Sequence, residues 1–216
     1  MTAAPRTPRS RDAERSREAI LAAAETRFAA RGFDATSLAE IGAEAGLSRG
    51  APGYFFGSKE ALHAAVLERV FAAREAALRP AVEPLIAWAR DGASGTLEST
   101  LAVAVDGYLG FLAERPSFVA LVEREAVDGA RRLRATPHAS TALEEALLAL
   151  RKAHRARGLR AFDLEDALVC WVSLSFFPLA HRATLLANLG VDADDPAFLA
   201  RRRQQVLDVL LHLLRG

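Results

Sequence analysis

Apolar side chains recur at helical spacing along almost the whole chain. In residues 12–30, Ile20, Ala24 and Phe28 fall on one face, and Gly32 follows the stretch. Beyond residue 80 the same period and its Gly-, Pro- and Asp-rich breaks predict helices near 81–90, 97–114, 116–129, 139–157, 163–188 and 196–215. No apolar–polar alternation typical of a β-strand is sustained. The pattern therefore predicts an all-α fold.

Two short helices separated by a glycine-containing turn lie between residues 37 and 56. The first begins at Ser37, which has Glu40 three residues later as in a capping box, and Gly46 ends it. Ser48 is the candidate N-cap of the second, and Ser58 that of a long helix reaching residue 80. This order is the helix-turn-helix arrangement, whose second helix enters the major groove of DNA. We expect an N-terminal three-helix helix-turn-helix domain, joined to a larger C-terminal helical bundle by the long helix.

The second short helix contains Pro52 and Gly53, the two residue types that most disfavour a helix interior. If Ser48 is the N-cap, the missing N–H of Pro52 falls in the first turn, where it does little damage. A type II turn centred on the Pro-Gly pair is the alternative, because both residues occupy favoured positions of that turn. We expect a short, distorted or delayed helix rather than a full break.

Residues 33–62, FDATSLAEIGAEAGLSRGAPGYFFGSKEAL, resemble the N-terminal domain of the TetR family of transcriptional regulators. That family's run is similar to Thr-Ser, Ile-Ala-x-x-Ala-Gly-Val-Ser, Lys/Arg-Gly-x-x-Tyr-x-x-Phe and Ser-Lys-Glu-x-Leu. The resemblance covers about the first 75 residues, and the remainder agrees in length and helical pattern. Phe56 matches the family's Phe, whereas Gly53 stands where the family has an aromatic residue.

The resemblance implies a homodimer in which each protomer inserts one recognition helix into double-stranded operator DNA. It also implies a C-terminal domain that binds an unknown small-molecule effector. We expect a DNA-binding domain at 12–62, its motif at 37–56, and a ligand-binding and dimerisation domain at 63–216. The expected function is a repressor released from a palindromic operator by that effector. A helical ligand- or protein-binding module with weak or lost DNA binding is the alternative, because of the Pro-Gly pair.

Eight residues are candidate DNA contacts. By position in the family's motif, the residues that would approach bases are Arg49, Gly50 and Ala51. Those that would hold phosphates are Thr36, Ser37, Ser48 and Lys59. Tyr54 would take over the phosphate contact of the aromatic ring that the family has at the position of Gly53. An arginine can pair with a guanine edge through two hydrogen bonds, and a lysine beside a helix N-terminus favours a phosphate. The alternatives are that Arg49 is a solvated surface charge and that the hydroxyl residues only cap helices.

The C-terminal part offers two further candidate sites. Aromatic residues that could wall an effector pocket, or simply form core, are Trp88, Tyr108, Phe111, Phe118, Trp171 and Phe176. Apolar residues on the last two helices that could pair with a second copy, or pack internally, are Leu168, Val172, Leu179, Leu199, Val206, Leu210 and Leu213.

Composition adds mainly exclusions. The net charge is only +1, but residues 1–11 contain three arginines and no acid, which predicts a basic flexible arm that is either a solvated tail or a DNA contact. Cys170 is the only cysteine, so no disulfide forms within the chain and a cytoplasmic location is expected. No apolar run is long enough for a membrane span. Without metal-ligand spacing, a phosphate loop or a nucleophile motif, we expect no cofactor, no metal and no enzymatic activity.

Overall fold

The computed structural model describes residues 8–92, 95–136 and 141–215, with side chains from Asp12 onward. Within these ranges the chain is helical and forms no strand, which confirms the all-α prediction. The helices are α1 (Pro8–Arg31), α2 (Leu38–Glu44), α3 (Ala51–Phe56), α4 (Lys59–Asp91), α5 (Leu97–Glu114), α6 (Pro116–Val127), α7 (Arg131–Arg134), α8 (Thr141–Ala153), α9 (Leu164–Ala180) and α10 (Pro196–Arg215). A π-helical turn at Arg182–Leu186 follows α9.

The chain divides into two compact units. The first consists of Met1–Val70 and Ala120–His138, and the second of Phe71–Val119 and Ala139–Gly216. The first unit therefore extends past the domain boundary expected at residue 62 and includes a later segment, because the end of α6 and α7 pack with the N-terminal helices. The assignment of DNA binding and ligand binding to separate domains stays a prediction.

The N-terminal helices share a core of apolar side chains in the first unit. Ile20 and Phe28 of α1, Ile41 of α2, and Leu62 and Val66 of α4 have no exposed surface. Ile20 and Phe28 are eight positions apart and Leu62 and Val66 four, spacings that return to the same face of a helix, so they lie on the inward stripes that the sequence pattern predicted. The helix α1 begins at Pro8, so part of the predicted arm is helical, whereas residues 1–7 lie outside the described residues.

The predicted break at residue 80 is wrong. Helix α4 continues from Lys59 to Asp91 with Pro80 and Pro84 inside it. A proline in a helix interior costs about 3 kcal/mol, because it removes a hydrogen bond and crowds the preceding turn. Leu78, Val82 and Leu85 are fully buried around the two prolines, and burying side chains of this size contributes about 1.5–3 kcal/mol each. Packing therefore outweighs the local preference.

The second unit has its core among α4, α5, α8, α9 and α10. Its largest fully buried side chain is Trp171 of α9. Helix α5 approaches α4 closely at Gly107, where an added Cβ would overlap the Cβ of Ala81. Glycine at this position therefore allows two backbones to come nearer than ordinary side chains permit.

Helix α9 contains a proline whose lost hydrogen bond is replaced from another helix. Pro178 has no N–H to donate to the carbonyl of Leu174, four residues earlier. The guanidinium of Arg202 on α10 donates to that same carbonyl from Nε at 3.0 Å and Nη2 at 2.8 Å. The contact joins α9 to α10 and satisfies a carbonyl that the proline leaves free.

The remaining boundaries differ by a few residues. The predicted helices 97–114 and 196–215 coincide with α5 and α10. The prediction for 163–188 fails after Ala180, where the backbone widens into the π-helical turn. The first residues predicted at 139–157 lie outside the described ranges, and α8 ends at Ala153.

Candidate nucleic-acid interface

The ends of α2 are fixed by two local motifs. The Ser37 side chain accepts from the N–H of Glu40 at 3.2 Å, and the Glu40 carboxylate accepts from the N–H of Ser37 at 2.9 Å. These hydrogen bonds hold the pKa of Glu40 below its ordinary value. At the other end Gly46 has φ +69°, and the N–H of Leu47 reaches the carbonyl of Gly42 at 2.9 Å. The predicted capping box and glycine stop are both confirmed.

The turn after α2 packs against α2 itself at Gly42. A Cβ at Gly42 would lie 2.6 Å from the carbonyl oxygen of Ser48, and 3.2 Å from Cα of Arg49 and Cδ of Pro52. Pro52 is buried, so its ring seats α3 directly on the surface of α2. The absence of a side chain at Gly42 therefore sets the distance between the two helices of the motif.

The Pro-Gly pair is compatible with the second helix because that helix starts late. Gly50 is the N-cap of α3, and Pro52 is the second helical residue, where the N–H has no partner within the helix. The expectation of a short, delayed helix is confirmed, and the type II turn is wrong. The role expected for Ser48 as N-cap is also wrong, because the N-cap is Gly50, two residues beyond it. The Ser48 carbonyl accepts from the N–H of Ala51 at 3.0 Å.

A small surface of α3 and its approach is exposed. The Tyr54 ring is 85% exposed and stands edge-on to Phe55 at 5.3 Å, and Arg49 and Gly50 are exposed beside it. Ala51 is half-buried. This surface carries a cation, an aromatic hydroxyl and a stretch of bare backbone, which are the groups that contact base edges and phosphates.

The acidic residues of α2 have basic partners. Glu40 pairs with Arg31 at 2.9 Å, and Glu44 pairs with Arg27. Both arginines belong to α1, so the pairs also connect the first two helices. The charges of these two acids are thus matched within the first two helices.

Two of the residues expected to contact phosphate make hydrogen bonds within the protein. Thr36 is buried, and its hydroxyl donates to the carbonyl of Gly32 at 2.8 Å. Lys59 is half-buried; its Nζ donates to the carbonyls of Phe33 and Thr36 at 2.9 Å each and lies 4.3 Å from the centre of the Phe33 ring. Their hydrogen bonds close the α1–α2 connection. Ser37 and Ser48 are exposed, and contact of these four residues with phosphate stays a prediction.

A buried polar cluster lies under the same connection, and sequence reasoning missed it. Nε2 of His63 on α4 is 3.5 Å from the carboxylate of Glu125 on α6, both side chains being almost inaccessible. Arg132 reaches Glu125 at 3.5 Å and Asp128 at 3.2 Å, and its guanidinium lies over the Phe33 ring. Burial, followed by the charge of Arg132, lowers the pKa of His63 to about 4, so its ring is neutral near pH 7.

Both parts of the chain match a known protein family. Residues 20–66 match the family described as bacterial regulatory proteins, tetR family, and residues 98–210 match the tetracyclin repressor-like C-terminal domain. The chain belongs to the TetR family. It is 29% identical over 216 residues, 96% of each chain, to the HTH-type transcriptional repressor NicS of Pseudomonas putida. By its sequence and fold the protein is thus a TetR-family transcriptional regulator.

Solved structures of the family share the fold. A crystal structure from Mesorhizobium loti assigned to the TetR family superposes with a TM-score of 0.66 at 19% identity, over 97% of this chain and 99% of that one. SmeT, the repressor of the Stenotrophomonas maltophilia multidrug efflux pump SmeDEF, superposes with a TM-score of 0.59 at 25% identity, over 92% and 89%. Among the residues that the structure describes, no helix of this TetR-family chain is both long and apolar enough to cross a membrane.

Most of the predicted pocket aromatics of the regulator are core residues. Four are buried, namely Tyr108, Phe111, Phe118 and Trp171. Phe118 packs edge-on against Phe111 at 5.0 Å, and burial raises the pKa of Tyr108 to about 12. Their part in an effector pocket stays a prediction. Trp88 and Phe176 are half-buried, and Trp88 lines a cleft of about 500 Å³.

The predicted dimer contacts divide in two. Leu179, Val206 and Leu210 are buried within the protomer, which leaves them almost no surface to offer a second copy; their part in a dimer interface stays a prediction. The half-buried ones are Leu168, Val172, Leu199 and Leu213. Beside these, Val169 and Phe177 of α9 and Val209 of α10 are exposed apolar residues that the sequence pattern did not single out.

Proposed function

We propose that this TetR-family regulator is a repressor that binds a palindromic operator as a homodimer and is released by a small-molecule effector. The observation that carries the proposal is the exposed group of Arg49, Gly50 and Tyr54 on a short helix seated against α2. An exposed tyrosine presents both an aromatic face and a hydroxyl, and tyrosine hydroxyls are among the groups that hold DNA phosphates. That the related NicS is named a repressor supports the sign of regulation.

Each exposed group has a distinct role in the proposal. Arg49 pairs with a guanine edge in the major groove, and the small residues Gly50 and Ala51 allow close approach or contact with a thymine methyl. Tyr54 donates its hydroxyl to a phosphate, replacing the ring that Gly53 lacks. Since only Leu38 Cδ1 comes within 4.0 Å of a Cβ at Gly53, that position leaves room for the DNA backbone.

The homodimer forms through α9 and α10. On α9, Leu168, Val169 and Val172 lie within one turn, and on α10 Val209 and Leu213 are four residues apart on one face. Their surface is incompletely covered in one protomer. Pairing with the same face of a second copy gives a symmetric interface, which places two recognition helices on two half-sites about 34–36 Å apart or a multiple of that distance.

The effector binds the second unit, and the protein acts in the cytoplasm, where the operator is accessible. Its single cysteine fits a reducing compartment.

Binding isotherms on a DNA duplex selected by the protein test the proposal. We expect Arg49→Ala to weaken operator binding by about 1–3 kcal/mol per half-site, because a bidentate contact with guanine is lost. The control is Arg155→Ala, an equal charge change at an exposed residue of the second unit. Equal affinity of both variants and wild type, with unchanged melting temperatures, would refute the role of Arg49 and with it the proposed recognition surface.

A further inference from the structure

An open groove runs along the second unit between the C-terminal part of α4 and the outer side of α8. Its volume is about 600 Å³, within the range of small-molecule sites. Ile86 and Ala89 line it from α4, and Leu148, Ala149 and Ala153 line it from α8. Ile86 and Leu148 are only half-buried, so the groove presents apolar surface that the protein itself leaves uncovered.

The side chains that line this groove carry one more positive than negative charge, since Arg90 and Lys152 stand against Glu145 alone. Lys152 lines the groove, is exposed, and has no ion-pair partner among the side chains that the structure describes. Arg90, also exposed at the groove, pairs with its chain neighbour Asp91 at 3.3 Å. The one acid lining the groove, Glu145, is paired with Arg79, which also binds Glu75 at 2.7 Å. An apolar floor with two cations at its rim complements an apolar molecule that carries a negative head.

We propose that this α4–α8 groove binds an amphipathic anion, a molecule with an aliphatic chain or ring system and a single carboxylate or similar anionic head. The apolar part lies on Ile86, Leu148 and Ala149, and the head pairs with Lys152 and Arg90. The assignment rests on the proposed function in one respect: such a ligand is the effector that releases DNA. A second copy of the chain is a less suitable occupant, because the exposed apolar side chains of α9 and α10 form a different surface, whereas the groove is concave and cationic at its rim.

The test measures binding of sodium hexanoate, octanoate and decanoate to the full chain by calorimetry, below their micelle concentrations, with 1-octanol as the uncharged probe. We expect affinity to rise about two- to fourfold for each added CH₂, because each is removed from water on the apolar floor. Octanoate binds more tightly than octanol at low salt, and the difference shrinks as salt screens the exposed head. Absence of a chain-length effect, or equal affinity of the acid and the alcohol, overturns the proposal.

Three variants locate the site. Lys152→Glu abolishes the preference for octanoate over octanol, whereas Arg155→Glu, the same charge reversal three residues away and outside the groove lining, preserves it. Ala149→Trp fills the groove and lowers decanoate affinity at least tenfold, with the helical circular dichroism unchanged. If both charge reversals act equally, or if Ala149→Trp and a second filling variant, Ala153→Leu, bind like wild type, the groove is not the site.

Release of DNA is measured separately. If decanoate binds the groove but the protein selects no DNA, the ligand site stands and the proposed function is refuted. If the protein binds its operator but the groove variants bind decanoate like wild type, the proposed function stands and the groove is refuted as the ligand site.

Discussion

The close contact between Gly42 of α2 and the following turn predicts that a side chain at this position destabilises the motif. Gly42→Ala adds a Cβ that would lie 2.6 Å from the Ser48 carbonyl oxygen and 3.2 Å from Pro52 Cδ. Ser48 O and the Arg49 backbone cannot swing aside as a flexible side chain can. The two helices of the motif must therefore move apart, and the packing of α3 against α2 that positions Arg49 and Tyr54 is lost.

The size of the effect follows from a matched pair of substitutions. Gly53→Ala makes the same chemical change on α3, where nothing comes closer to the new Cβ than Leu38 Cδ1 at 4.0 Å. Each change removes a helical glycine and so gains about 0.5–1 kcal/mol of helix stability. Only Gly42→Ala adds overpacking, which costs about 1–3 kcal/mol. The two variants should thus differ in stability by about 1–3 kcal/mol, with Gly53→Ala above wild type.

Thermal unfolding followed by circular dichroism measures this difference. For a chain of this size 1 kcal/mol corresponds to about 2–4 °C in Tm, so a separation of several degrees is expected. Operator affinity adds a second readout, since Gly42→Ala also misplaces α3. A Gly42→Ala protein as stable as Gly53→Ala, with undiminished DNA affinity, would refute the argument that the glycine sets the helix spacing.

Three further predictions concern the core. Because the pKa of His63 is lowered, the folded protein binds a proton there less readily than the unfolded chain does. The free energy of unfolding should therefore fall by up to about 3 kcal/mol as pH drops from about 6.5 towards 4. In urea unfolding, His63→Gln should show a smaller fall over the same pH range. Gly107→Ala should lower Tm because its Cβ overlaps α4, whereas Gly110→Ala, with open space around it, should not. Arg202→Met should lower the free energy of unfolding by about 1.5–3 kcal/mol, because the Leu174 carbonyl loses its donor. The loss should be much smaller in a Pro178→Ala background, where the helix itself supplies an N–H to that carbonyl. If urea unfolding shows the same loss in both backgrounds, Arg202 does not replace the hydrogen bond that Pro178 lacks.

Local signals predicted the DNA-binding motif well. The Ser37 cap, the Gly46 stop and the late start of α3 depend on residues within four or five positions of each other, so they are legible along the chain. The position of Pro52 in the first turn is likewise a local property. The position of the N-cap was misjudged by two residues because Ser48 is a good capping residue that the turn uses for its carbonyl instead.

Long-range contacts explain what the sequence did not show. Lys59 has the position of a phosphate contact, and its ammonium also donates to carbonyls more than twenty residues earlier, which no local pattern indicates. His63 and Glu125 are far apart along the chain, and no spacing rule connects them. Leu179, Val206 and Leu210 fall on apolar stripes that serve equally for a core or an interface, and only the tertiary packing distinguishes the two.

Selection of DNA from a random pool by the purified protein, followed by sequencing at moderate salt, tests the central claim most directly. The account predicts enrichment of a palindrome with two half-sites whose separation corresponds to one helical turn or a multiple of it, and its loss with Arg49→Ala. A pool that remains without any palindromic sequence after selection, while the protein stays folded and helical, would contradict the account.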